Sequence, residues 1–328
     1  MSIKSETENN WQVELNEHSE NIDAHVESFA KWCSSTLHLK IPESLKILLI
    51  LYRKHTLDKE FLMRFLRTAK YDHSVAQKRL DNYCTLRRSH PECSKFFDWS
   101  TLSNEIIDEV LDLNLLVPLG CSDDGQLVIL VQFGLWDPNS VKLIDLMRVL
   151  FMGIDLIAAK TITQTHGITV IMDLDRANTK INQIWNQCEL FKNWKKIWEE
   201  TYPMRLKNLI FFREPVIFDI HCSISELLMK SKMKKRTLRL KNDIEKLATR
   251  IPGLMRLLPF EYNGQSGPLD ALRNKWKREF KGTYASEHFI LSQIEVIENK
   301  RFISKAKVNA ANLEPVHAEG TFTKFDKF

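Results

Sequence analysis

The chain has 328 residues, 44% hydrophobic and 27% charged, with a net charge of +5. That composition excludes a disordered polyelectrolyte, and it lacks the strong cationic excess of a dedicated nucleic-acid binder. Ten glycines and ten prolines are few for this length, which argues against a turn-rich β-sandwich and for long helices. In chain order, residues 1–20 are polar and expected to be disordered. Met1–Asn10 lacks the apolar stretch of a signal peptide. Residues 21–98 read as a helical lobe. Phe61, Leu62, Phe65 and Leu66 share one helix face, and Asp72 is placed to cap the next helix, with Val75, Leu80, Tyr83 and Leu86 as its buried stripe and Pro91 as its end. Residues 99–267 change rhythm. Strands are expected at 127–133, 168–172, 206–212 and 237–241, alternating with helices at 140–165, 182–200 and 215–230. This is an α/β layer with a mostly parallel sheet. Residues 268–328 form a charged, weakly structured tail.

The chemistry-bearing residue types form few constellations. Cys33, Cys84, Cys93, Cys121, Cys188 and Cys222 include no C-x-x-C pair, and the ten histidines show no ligand spacing, so no metal site or cofactor is expected. Gly-rich phosphate loops, H-E-x-x-H and G-x-S-x-G are missing. Asp173 and Asp175, at a strand end, are the best catalytic pair. The local sequence gives them no metal, His or basic partner, and a capping or turn role is the favoured reading. No catalytic residue is assigned, and the chain reads as a non-enzyme. No apolar run reaches the ~20 residues of a membrane span, so the chain is expected to be cytoplasmic, with only peripheral, reversible membrane association.

Two segments stand out. Val216, Ile217, Phe218, Ile220, Ile224, Leu227 and Leu228 place apolar stripes on more than one side of a helix, which fits either a buried core helix or a lid over a cavity. Lys230, Lys232, Lys234, Lys235, Arg236, Arg239 and Lys241 follow without an intervening acid, with Arg205 and Lys207 upstream. A solvated face, nuclear targeting or RNA contact would use such a run, but charge abutting an over-apolar helix is what a peripheral membrane site requires.

Six stretches then occur in order. They are Phe61-Leu62-Met63-Arg64-Phe65-Leu66-Arg67, Trp136-Asp137-Pro138, Gly167 through Asp173, Tyr202-Pro203-Met204-Arg205, Asn208 through Asp219 with Glu214-Pro215, and Leu258-Pro259-x-Glu261-Tyr262-x-Gly264. In series they resemble the CRAL-TRIO family, in its tocopherol- and retinaldehyde-carrying branch. The resemblance implies a helical lobe followed by an α/β lobe, whose sheet and mobile gate helix enclose one lipophilic ligand. It implies a cavity lined by Met147, Leu150, Ile154, Ile168, Met172, Trp194, Ile197 and Trp198, with Phe133 added by strand alternation. It also implies phosphoinositide contacts from Arg205, Lys207, Lys232 and Arg236. Three departures are visible. Ala69 stands where the family has a further arginine, aliphatic Leu150 and Ile154 replace small hydroxyl residues, and Arg176 replaces the usual glycine. The implied function is transfer of a tocopherol-, retinoid- or carotenoid-like molecule by a monomer that docks on anionic membranes and binds no nucleic acid. The alternative is a phosphoinositide-binding adaptor without transfer.

Overall fold

The computed structural model describes residues 11–36, 39–40, 56–88, 90, 93–99, 102–177, 181, 183–184, 194–215, 231–292 and 295–296. The helices are α1 (Ile22–Ser35), α2 (Thr56–Thr68), α3 (His73–Arg88), α4 (Asn104–Asp112), α5 (Leu143–Ala159), α6 (Thr161–His166), α7 (Trp194–Glu200), α8 (Ser231–Arg236), α9 (Ile244–Arg250), α10 (Leu254–Leu257) and α11 (Leu269–Ser292). The main strands are β1 (Leu116–Cys121), β2 (Leu127–Gln132), β3 (Ile168–Asp173), β4 (Leu206–Phe212) and β5 (Thr237–Arg239). The chain divides into two units: Met1–Phe97 with Asn193–Met204 and Ala285–Phe328, and Asp98–Lys192 with Arg205–Tyr284.

In the first unit, α1 buries Val26, Phe29, Ala30 and Cys33 at helical spacing. On α2, Phe61, Leu62, Phe65 and Leu66 are all buried, as their spacing requires. Asp72 Oδ1 accepts from the N–H groups of Ser74 (2.9 Å) and Val75 (3.2 Å), capping α3. Leu80, Tyr83 and Leu86 are buried, but Val75 is 43% exposed. One residue is 100° of helix, so Ala76, not Val75, lies in line with Leu80 and Tyr83.

Residues 11–20 depart from the disordered segment expected over 1–20. Residues 11–15 are helical, and Leu15 is fully buried. The cause is a buried carboxylate. Arg67 Nε and Nη2 donate to Glu17 Oε2 and Oε1 at 2.9 and 3.1 Å, and the Tyr71 hydroxyl donates to Oε2 at 2.8 Å. A buried guanidinium needs a counter-charge, and Glu17 supplies it.

The second unit is built on a sheet of order β1-β2-β3-β4-β5, antiparallel between β1 and β2 and parallel elsewhere. Expected strands 127–133, 168–172 and 206–212 form as β2, β3 and β4. Edge strand β1 does not stand out in sequence because it contains Pro118 and Gly120, between which its register shifts. The expected helix 140–165 breaks at Lys160, which is extended (ψ 128°) between α5 and α6. Gly167 follows with φ +84°, and a Cβ there would lie 2.5 Å from the Arg205 carbonyl oxygen, so the α6–β3 turn requires glycine.

One sheet face carries Val128, Leu130, Ile171, Ile210 and Phe212 into a continuous core with Leu247, Ile251, Leu254, Leu258, Tyr262 and Leu269. Leu269 opens α11, the longest helix described, where a weakly structured tail was expected from residue 268. Its charges conceal a stripe of Leu269, Leu272, Trp276 and Phe280 and are themselves used. Lys277 reaches Asp112 at 3.0 Å and Asp108 at 3.1 Å on α4, and Lys281 reaches Asp108 at 2.6 Å. Residues 178–180, most of 182–193 and 216–230 lie outside the described residues. The expected gate residues Val216, Ile217, Phe218, Ile220, Ile224, Leu227 and Leu228 therefore do too.

Arg176, at the position where the resemblance leads one to expect glycine, adopts φ 62°. A Cβ in that left-handed region costs about 1–2 kcal/mol, partly offset by the entropy glycine loses on folding. Arg176→Gly should raise stability by about 0.5–1 kcal/mol, read as a rise in Tm of roughly 1–2 °C.

Candidate functional site

The sheet has two unlike faces. Opposite the solid core, Ile129, Val170 and Leu209 form a cross-strand row and are 4%, 7% and 5% exposed. One step toward the carboxyl ends of the strands, the row Val131–Met172–Phe211 is only half-buried. Side chains two apart on a strand share a face, so this is one apolar surface that is buried at one end and partly exposed at the other. Carboxyl ends of parallel strands are where open α/β sheets bind ligands.

Ile168 and Met172 lie on this face at its two ends, with Ile168 fully buried and Met172 half-buried. Phe133 follows β2 in a short 3-10 turn. On α5, Met147 is buried, while Leu150 and Ile154 are half-buried along the same stripe. Leu150 lines a small apolar cleft with Val110, Leu111, Val149, Trp276 and Phe280, between α4, α5 and α11. Trp194, Ile197 and Trp198 belong to α7, in the first unit. There Ile197 is buried and the Trp198 ring stands 5.6 Å from that of Tyr202.

The end of α7 is held by residues that sequence reading did not single out. Arg79 Nη1 donates to the Tyr202 carbonyl at 2.7 Å and Nη2 to that of Glu199 at 2.5 Å, while Asn82 Nδ2 donates to Glu200 O at 3.1 Å. A cation on the last carbonyls of a helix satisfies acceptors that have no intrahelical donor. Burial pulls the Arg79 guanidinium down to about 10, against the pull of Glu200 and Glu199, which leaves it charged at neutral pH. Only long-range pairing reveals this role, because 120 residues separate the partners.

At the carboxyl ends of β2, β3 and β4 lies a polar network on the core side of the sheet. Asp173 accepts from Arg213 Nε at 2.9 Å, from Arg213 Nη2, from the Tyr262 hydroxyl and from the Asp175 N–H at 3.0 Å. The Tyr262 oxygen also lies 3.1 Å from Gln132 Oε1. Asp173 thus has the basic partner its local sequence lacks, supplied from the end of β4. Its lone pairs are occupied, and it is built as a structural anchor. The Asp173 hydrogen bond holds the Arg213 guanidinium above its ordinary value, and burial followed by Asp173 pushes the Tyr262 hydroxyl up. Among the described residues no group of three or more His, Cys, Asp or Glu is placed to hold a metal, and no helix is long and apolar enough to cross a membrane.

The four basic residues expected to meet phosphoinositide gather around the opposite end of β4. Arg205 is buried and donates to the Thr165 carbonyl. Arg236 Nη1 donates to the Leu206 carbonyl at 2.6 Å. Both guanidinium groups therefore help fix the entry to β4. Lys207 is half-buried, its stem packed beside Gly167, whereas Lys232, Lys234 and Lys235 project from α8 into solvent. Arg239 is drawn away from the basic run by Glu214 at 2.6 Å.

Residues 113–264 match the CRAL/TRIO domain family. The matched stretch contains all five strands and the Tyr262 anchor, and ends before α11. Sequence relatives include "Alpha-tocopherol transfer protein-like" of Mus musculus, 28% identical over 220 residues (67% of this chain, 62% of the relative). The Homo sapiens protein of that name is 28% identical over 216 residues (66% and 61%). Clavesin-2 of Mus musculus is 23% identical over 218 residues (65% and 64%). The chain therefore spans between 61% and 64% of the length of these relatives. The crystal structure of Sfh5 aligns with a TM-score of 0.48 and 15% identity, over 77% of this chain and 88% of that one.

Proposed function

We propose that the chain binds one hydrophobic small molecule or lipid on the open face of its CRAL/TRIO sheet and transfers it between membranes, without bond-making chemistry. The carrying observation is the half-buried apolar row Val131–Met172–Phe211 beside the sealed row Ile129–Val170–Leu209. A sheet face that stops being covered at its carboxyl end offers apolar surface to a ligand. Burying roughly 400–500 Å² of an isoprenoid or acyl ligand releases on the order of 10–12 kcal/mol gross, reduced by association and ordering costs. Relatives named for tocopherol transfer support a tocopherol-, retinoid- or carotenoid-like ligand. Met147, Leu150, Ile154 and Ile168 are proposed to contribute to its surroundings. The segment 216–230, whose sequence pattern is helical, is proposed as the gate.

Docking on anionic, phosphoinositide-containing membranes is proposed to use Lys207 and Lys232, aided by Lys234 and Lys235, with Arg205 and Arg236 adding to the positive field. At roughly 1 kcal/mol per basic residue near an anionic leaflet, this gives about 3–4 kcal/mol, enough for reversible association. Transfer of a fluorescent lipid between vesicles tests both parts. The wild-type rate should rise with acceptor phosphoinositide and fall as salt screens the lysines, and Lys232→Glu with Lys235→Glu should reduce it about tenfold or more. Binding to vesicles without any transfer would instead favour a phosphoinositide-reading adaptor.

A further inference from the structure

Two histidines of the first unit meet away from the site just described. His25 Nδ1 on α1 lies 2.9 Å from His73 Nε2 at the start of α3. The ring centroids are 5.2 Å apart, close to that nitrogen–nitrogen distance plus a ring radius at each end. The two nitrogens therefore point at one another, and a hydrogen bond between them requires one to donate and the other to accept.

In the neutral pair, the accepting ring already carries its proton on its outward nitrogen. A first added proton goes to the outward nitrogen of the donating ring, which leaves the contact intact and charge-assisted. The second has only the inward nitrogen of the accepting ring left, and it sets two N–H groups face to face. We propose that His25 and His73 form an acid-released clasp between α1 and α3 that tolerates one proton and opens on the second.

The surroundings do little to absorb that second charge. The Tyr71 ring stands 4.9 Å from His25, with its hydroxyl committed to Glu17, which also holds Arg67. Phe29 meets His73 edge-on at 6.2 Å. Asp23 on α1 is held by Lys59 of α2 at 2.5 Å. Asp72 adjoins His73, but its carboxylate caps α3. Burial and then His25 hold His73 below the ordinary imidazole value, with Asp72 opposing. A histidine held down in the folded state contributes stability that is present above its unfolded value and lost as pH falls from there through the lower folded value. The clasp is independent of the lipid reading.

Heteronuclear NMR of the full chain, titrated from about pH 8 to about pH 5, tests it. The pair should take up its protons in two separated steps, and the lower step should coincide with amide exchange about tenfold faster in the first turn of α1, after correction for intrinsic rates. In His73→Gln and His25→Gln the remaining imidazole should titrate in one step, with no linked change in exchange. Two coincident, independent steps in the wild type, or an unchanged acid response in both variants, would overturn the clasp. Should a variant fail to fold, the wild-type titration alone decides.

Discussion

Asp173→Ala should lower stability by about 3 kcal/mol, read as a fall in Tm of roughly 4–5 °C for a chain of this length. Asp173 is 2% exposed and accepts from Arg213, Tyr262 and the Asp175 N–H. Removing it leaves the guanidinium with Asp175 at 3.4 Å and the phenol hydroxyl with Gln132 at 3.1 Å, and these under-satisfied partners, more than the lost bonds, set the cost. Arg213 is one-third exposed, so water recovers part of the loss and the lower end of the range for a broken buried pair applies. Tyr262→Phe removes one donor and should cost only about 1 kcal/mol. Intrinsic ligand affinity should survive both changes at temperatures where the variants are folded, because the network lies across the sheet from Met172. A catalytic Asp173 would abolish function without this loss of stability.

Glu17→Ala should cost a similar 3 kcal/mol or so, and deleting residues 1–20 should cost at least as much. Glu17 pairs with the buried Arg67 and also receives the Tyr71 hydroxyl. The deletion further uncovers the site of Leu15. Chemical denaturation followed by the tryptophan signal checks both. A deletion as stable as the full chain would show that the N-terminal segment is dispensable to the fold.

What could be read beforehand divides along physical lines. Strands β2, β3 and β4 announce themselves because buried parallel strands are continuous β-branched and aliphatic runs, and α2 does so through its helical spacing. Edge strand β1 hides behind Pro118 and Gly120. Helix α11 hides behind its charges, because nothing local shows that Lys277 and Lys281 face Asp108 and Asp112 across more than 160 residues. The same distance problem conceals Arg79 at the end of α7 and Arg213 beside Asp173. Of the candidate site, the alternation of Ile168 and Met172 on one strand face was legible. That the same face is sealed at Val170 and open at Met172 depends on register with β2 and β4, which no window of sequence contains.

Native mass spectrometry of the chain after exposure to a membrane lipid extract, run in parallel on Met172→Arg, tests the central claim most directly. A single lipophilic molecule should remain with the wild type and be lost from a Met172→Arg protein that still melts cooperatively. Equal retention by both proteins, or none by either under any loading, would contradict a ligand seated on the open end of the sheet.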